Sequence, residues 1–138
     1  MKYMLDTETC VLIMRQAPLI IEKLRTKPYD SLVVSAITLA ELELWVAGSK
    51  ERARNAKNLL AFTALVEVLP FDVPAAEEYG KIKAELAEKG MSIADHNAMI
   101  AAQAKAEGLV IITDELQKFG NIRELKLWFI GEKVRFMS

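Results

Sequence analysis

Acidic residues lie at or shortly after the ends of apolar segments in this chain, and they are the side chains best suited to do chemistry. The acids in question are Asp6, Glu41, Asp114 and Glu115. A carboxylate at the end of a buried segment is costly unless a metal ion, a cation or hydrogen-bond donors compensate its charge. We therefore interpret Asp6 as the anchor of an acidic, metal-binding pocket that acids from distant parts of the sequence complete.

The pattern of apolar residues predicts the elements that position these acids. Short apolar runs predict strands at 2–5, 32–34, 67–71, 109–112 and 126–130. Helical periodicity predicts helices at 7–14, 18–25, 35–47, 50–66, 74–89 and 94–107, and a tail is expected at 131–138. This alternation favours an α/β fold with a largely parallel sheet. Because ligands bind at the carboxyl ends of strands in such sheets, the acids are expected to converge at one edge.

The composition describes one globular domain spanning residues 1–138. Of the 138 residues, 52% are hydrophobic and 27% are charged, and the net charge of −1 gives no global basic field for nucleic acid. Cys10 is the only cysteine, which excludes an intrachain disulfide and favours the cytoplasm. No apolar run approaches the roughly 20 residues of a membrane span, so no membrane partner is expected.

Converging carboxylates would define a particular reaction class. Three or four of them cannot all be ionised at one place without cations, and oxygen-only ligand sets select Mg²⁺ or Mn²⁺. Such ions serve phosphoryl chemistry, so hydrolysis of a phosphodiester is the leading reaction class. The pattern alone leaves a structural alternative open, because acids at strand ends also cap helices.

Several segments resemble the motifs of the PIN-domain ribonucleases, and most closely those of the VapC toxins. These segments are 4–7, 34–42, 67–72, 79–86, 93–104 and 111–113 followed by Phe119, and together they span roughly residues 1–128. The resemblance implies a PIN-like three-layer α/β/α sandwich with a mainly parallel central sheet of four to five strands. It also implies an endoribonuclease that depends on Mg²⁺ or Mn²⁺.

The same resemblance implies the partners of the chain. VapC toxins form homodimers and are neutralised by a small VapB-type antitoxin that carries a DNA-binding domain. Operator DNA is therefore expected only through the antitoxin, and the substrate is expected to be RNA, with tRNA as one candidate.

Carried over residue by residue, the resemblance gives a site with one departure. Asp6 and Glu41 match the first two family acids, and Asp114 and Glu115 both occupy the region of the fourth. Counting from Ile100, the third family aspartate falls on Asn97. Asparagine keeps the shape of aspartate but loses its charge, so a metal would be held more weakly.

Three explanations for Asn97 are open. In the first, the site works with Asn97 and the nearby Asp95, so that the metal ligands are Asp6, Asn97 and Asp95. In the second, the site is naturally weakened. In the third, the aspartate was changed deliberately to disarm a toxin. We favour the third as a hypothesis. Asp95 is equally well explained as the N-cap of the following helix.

Two rival functions accompany this interpretation. The first is a catalytically impaired PIN subunit that acts mainly in antitoxin binding and operon repression. The second is a phosphatase or receiver-like domain using Asp6, which is disfavoured because no lysine is convincingly placed after a later strand. His96 is predicted to face solvent. Thr7 is predicted to cap the first helix, and Ser35 or Thr38 is predicted to cap the helix after the second strand.

Overall fold

Five parallel strands form the central sheet of the computed structural model, which describes residues 2–130. The strands are β1 (Tyr3–Leu5), β2 (Leu32–Ser35), β3 (Glu67–Leu69), β4 (Val110–Thr113) and β5 (Lys126–Phe129), in the spatial order β3-β2-β1-β4-β5. Met4 of the central strand pairs with Val33 on one side and Ile111 on the other. Strands β2 and β3 thus lie on one side of β1, and β4 and β5 lie on the other, so the strand order reverses at β1. The carboxyl end of β1 is therefore the point at which a ligand crevice is expected.

The helices cover both faces of this sheet. They are α1 (Thr7–Met14), α2 (Pro18–Leu24), α3 (Ala36–Gly48), α4 (Arg52–Thr63), α5 (Val73–Glu88) and α6 (Asp95–Glu107). One face packs on α5 and α6 and the other on α1 to α4. The predicted three-layer α/β/α sandwich with a parallel sheet is therefore confirmed. No helix within residues 2–130 is long and apolar enough to cross a membrane.

Successive strand residues supply the two cores alternately. Met4, Val33 and Ile111 are buried beneath α5 and α6. Their neighbours point to the opposite face, because side chains alternate along a strand. A sheet covered on both faces needs continuous apolar runs, and this is why the strands were recognisable as such.

The predicted helix caps are only partly correct. Thr7 does not cap α1; Asp6 is the N-cap, and its Oδ1 accepts a hydrogen bond from the Thr9 backbone N–H at 3.0 Å. Asp95 does not cap α6, because Ala94 occupies the cap position and Asp95 is the first helical residue. Ser35 caps α3, which was one of the two predicted options.

The remaining boundaries differ only at element ends. Helix α4 ends at Thr63, before the predicted 66, and α5 begins at Val73, one residue before the predicted start. Strand β1 begins at Tyr3 and β5 ends at Phe129, so each is one residue shorter than predicted. The predicted tail at 131–138 lies outside the described residues.

A buried glutamine fixes α6 against the ends of two strands. Gln103 is fully buried, and its Nε2 donates to the backbone carbonyls of Leu69 (3.1 Å) and Pro70 (2.8 Å). Its Oε1 accepts from the Ser35 hydroxyl at 2.6 Å. Because Ser35 also caps α3, this network sets the position of α6 relative to α3.

Replacing Gln103 by leucine should destabilise the fold strongly. The Gln103→Leu variant leaves the Leu69 and Pro70 carbonyls and the Ser35 hydroxyl without their partner, at a cost of about 2 kcal/mol or more. Urea denaturation measures the loss, and Gln117→Leu on an exposed turn is the matched control. Equal unfolding midpoints for the two variants would show that the network does not stabilise the fold.

Candidate active site

Asp6 is the most constrained residue of the site. It follows the central strand β1 and is 1% exposed. The Thr113 hydroxyl at the end of β4 donates to Asp6 Oδ2 at 2.6 Å, and the Thr9 N–H donates to Oδ1. The Asp6 N–H donates to the Ile112 carbonyl at 3.1 Å, which extends the pairing of β1 with β4. The carboxylate is therefore fixed both by α1 and by the neighbouring strand.

The environment of Asp6 disfavours its ionised form. Burial raises the pKa of Asp6, and the hydrogen bonds from Thr113 and Thr9 and the charge of Lys118 only partly oppose this. If the pKa of a carboxyl group is higher in the folded chain than in the unfolded chain, the fold loses stability as the pH rises through that pKa. The fold thus tolerates a destabilising charge here, which is typical of a functional position.

Lys118 lies between two of the acids. Its Nζ is 3.8 Å from Asp6 Oδ2 and 3.2 Å from Asp114 Oδ1. Burial lowers the pKa of Lys118, but the charges of Asp6 and Asp114 outweigh this and the net shift is upward. The expectation that no lysine is convincingly placed after a later strand was therefore wrong, because Lys118 follows β4 and lies beside Asp6.

Glu41 reaches the same edge of the sheet from the second turn of α3. Its Oε1 accepts a hydrogen bond from the Thr7 hydroxyl at 2.6 Å, and Thr7 directly follows Asp6 in the chain. Its Oε2 lies 3.4 Å from His96 Nε2. His96 is exposed in the first turn of α6, as predicted, and its side chain also contacts Glu41.

The two candidates on α6 differ in their surroundings. Asn97 is half-buried in the first turn, directly after His96. Asp95 is mostly exposed, and its Oδ1 accepts from Lys83 Nζ on α5 at 2.8 Å. The hydrogen bond from Lys83 and its charge lower the pKa of Asp95. This pairing directs Asp95 towards α5, so the structure gives no support to its prediction as a metal ligand.

Asp114 and Glu115 also separate. Asp114 is partly buried and shares the Lys118 ammonium with Asp6. Glu115 is exposed, and its backbone N–H donates to the Thr113 hydroxyl at 3.1 Å. Of the two candidates for the fourth acid, the structure brings Asp114 to Asp6. Thr113 itself was not among the predicted site residues, although its hydroxyl holds both Asp6 and this turn.

The donor set has the chemistry that a hard divalent cation requires. Carboxylate oxygens that accept one hydrogen bond keep a further lone pair, and oxygen ligands suit Mg²⁺ or Mn²⁺. Yet no group of three or more His, Cys, Asp or Glu residues within 2–130 is arranged to hold a metal ion. The residues therefore fit such an ion by type, while the Lys118 ammonium contacts the carboxylates that would bind it.

Comparison with known proteins identifies the family to which this fold belongs. The PIN domain family matches residues 3–124. The tRNA(fMet)-specific endonuclease VapC of Salmonella typhimurium is 35% identical over 127 residues, covering 92% of this chain and 96% of that protein. Ribonuclease VapC2 of Haemophilus influenzae is 32% identical over 126 residues, covering 91% and 96%.

Solved structures extend the similarity to three dimensions. DNA-bound VapBC from Salmonella typhimurium has a TM-score of 0.89 at 34% identity, covering 94% of this chain and 98% of that one. VapBC2 from Rickettsia felis, bound to a DNA fragment from its promoter, has a TM-score of 0.84 at 31% identity with the same coverage. The chain therefore belongs to the PIN-domain family, in its VapC ribonuclease branch, as its motifs predicted.

Replacing Asp6 should separate its charge from its structural role. The Asp6→Asn variant keeps an N-cap side chain and removes the buried charge, so its melting temperature in chelator at pH 7 should not fall below that of the unchanged chain. The Asp6→Ala variant loses the cap, which costs about 1 kcal/mol.

The dependence on pH provides the check. Any advantage of Asp6→Asn should shrink as the pH falls through the pKa of Asp6, because the aspartate then becomes neutral as well. Thermal unfolding by circular dichroism measures both effects. An Asp6→Asn variant as unstable as Asp6→Ala would contradict the assignment of a destabilising charge.

Proposed function

We propose that this chain is an endoribonuclease toxin that hydrolyses RNA phosphodiester bonds with Mg²⁺ or Mn²⁺. The observation that carries the proposal is the buried Asp6 carboxylate at the carboxyl end of the central strand, with Asp114 beside it. Relatives named as VapC ribonucleases are similar in sequence over nearly the full chain. The naming of one relative as tRNA(fMet)-specific makes tRNA the substrate to test first.

The chain's own residues divide the work between holding and orienting. Asp6 and Asp114 would hold the ion, and the amide oxygen of Asn97 would add a weaker, uncharged ligand. When bound, the ion supplies a water of lowered pKa and stabilises charge on the phosphate. Thr113 and the N-terminus of α1 keep the Asp6 carboxylate in one orientation.

Glu41 completes the proposed catalytic set from α3, which follows β2, whereas Asp114 follows β4 on the other side of β1. The Thr7 hydroxyl fixes one of its oxygens, and the other faces His96. A carboxylate held in this way can accept a proton or orient water near the scissile phosphate. Glu115, exposed at the rim, contributes negative charge rather than a contact with Asp6.

We further propose that the chain acts as one domain within a toxin–antitoxin complex in the cytoplasm. Its relatives from Salmonella typhimurium and Rickettsia felis are seen as VapBC complexes with DNA. A VapB-type antitoxin is accordingly the expected partner, operator DNA is reached through that antitoxin, and the toxin is expected to form a homodimer.

A second function is favoured by two features of the site. Asn97 lacks the charge of the family aspartate, and Lys118 adds a positive charge beside Asp6. Both changes weaken the attraction for a divalent cation. The alternative is therefore an impaired PIN subunit whose main role is antitoxin binding and operon repression.

RNA cleavage assays distinguish the two functions. Cleavage of a fluorescent RNA should require Mg²⁺ or Mn²⁺, stop on addition of chelator, and be absent in Asp6→Asn. The Asn97→Asp variant should cleave faster by on the order of tenfold or more, because it restores a charged ligand.

The exposed Asn58→Asp on α4 changes the same net charge away from the site and should leave the rate unchanged. Absence of cleavage even by Asn97→Asp would contradict the nuclease proposal and favour the antitoxin-binding subunit.

A further inference from the structure

Lys118 has no role in the proposed reaction, although it contacts two of the acids of the site. Its ammonium contacts Asp6 and Asp114 together, and 23% of its side chain is exposed. Other lysine–acid pairs, such as Lys2 with Glu67 and Lys83 with Asp95, lie at the surface and are of a kind that contributes little to stability. Lys118 differs because one of its two partners is buried.

The local backbone aims Lys118 into the site. It is the last residue of a short 3₁₀ turn, Leu116–Lys118, and its N–H donates to the Glu115 carbonyl at 3.3 Å. The next residue, Phe119, is buried in the core beneath α5 and α6. The turn is thus fixed at both ends, and the lysine stem starts from a defined position between the acids.

The charges at this point require a positive partner. Two carboxylates that approach one point repel each other, and the Asp6 carboxylate is cut off from water. A lysine ammonium offers three donors at the end of a flexible stem, so it can neutralise both acids and can also swing away. An ammonium and a divalent cation that approach the same carboxylates repel each other, and this repulsion is strong in a partly buried site.

We infer that Lys118 is a tethered counter-ion that holds the Asp6–Asp114 pair in the metal-free protein and competes with a divalent cation for the same carboxylates. This inference rests on the proposed function only in taking these carboxylates as the cation site. The Lys118 ammonium neutralises the two carboxylates when no metal is bound, and its competition sets the concentration of divalent ion at which the site is filled. Metal binding then requires the Lys118 ammonium to leave the carboxylates.

Direct measurement of metal binding tests the inference without any RNA. Free Mn²⁺ is titrated by electron paramagnetic resonance against the full chain and its variants. The Lys118→Met variant removes the ammonium and keeps most of the stem, so it should bind Mn²⁺ about tenfold more tightly or better. The Lys118→Arg variant keeps the positive charge and should bind Mn²⁺ as weakly as the unchanged chain.

A matched control is available on α6. Lys105 is equally shielded, with 22% of its side chain exposed, and lies 3.9 Å from Glu78 Oε2 on α5. The Lys105→Met variant removes the same charge from a comparable ion pair outside the site. Its affinity for Mn²⁺ should equal that of the unchanged chain.

Thermal unfolding gives an independent readout. In chelator, Lys118→Met should melt below the unchanged chain because Asp6 and Asp114 lose their counter-ion. Added Mg²⁺ should raise the melting temperature of Lys118→Met by more than it raises that of the unchanged chain. If Lys118→Met does not fold, the same measurements are made on Lys118→Gln, which also removes the ammonium.

Equal Mn²⁺ affinities for the unchanged chain and the lysine-deficient variant, whether both tight or both undetectable, would overturn the inference. A chain that cleaves no RNA, but whose Lys118→Met variant gains Mn²⁺ affinity, would keep it and remove the proposed function.

Discussion

The architecture depends on burying one carboxylate at the end of a three-residue strand. Asp6 caps α1, accepts a hydrogen bond from β4 and continues the pairing of β1 with that strand. These contacts recover part of the cost of removing the charge from water, but the raised pKa shows that the recovery is incomplete. The rest of the site is arranged around this residual cost, with Asp114 and Lys118 on one side of Asp6 and Thr7 leading to Glu41 on the other.

The sequence was sufficient for the layers and for the placement of Asp6 and Asp114 at one edge of the sheet. Continuous apolar runs indicate strands covered on both faces, and parallel strands bring their carboxyl ends to one edge regardless of their separation in sequence. This is why Asp6 and Asp114, which are far apart in sequence, could be expected at the same edge. Family resemblance then supplied the reaction, which strand-end acids alone do not specify.

The errors came from geometry that periodicity does not encode. A shift of one residue at the start of α6 decides whether Asp95 caps the helix or pairs with Lys83, and helix boundaries are uncertain at that level. Lys118 was missed because its importance depends on the direction of a short turn. One signal was present, since Lys118 lies four residues after Asp114 and directly before the apolar Phe119. A helical turn places such residues side by side.

The unequal structural duties of the acidic positions have an evolutionary consequence. A substitution at position 6 acts on a side chain that caps a helix and accepts a hydrogen bond from Thr113 of β4, so replacements other than asparagine are penalised through folding. Position 97 caps no helix, because Ala94 holds that place in α6. A lineage released from selection for catalysis would therefore tolerate more kinds of replacement at position 97 than at position 6. The loss of charge at 97 would also be the easiest to reverse, because a return to aspartate requires no repair of the fold.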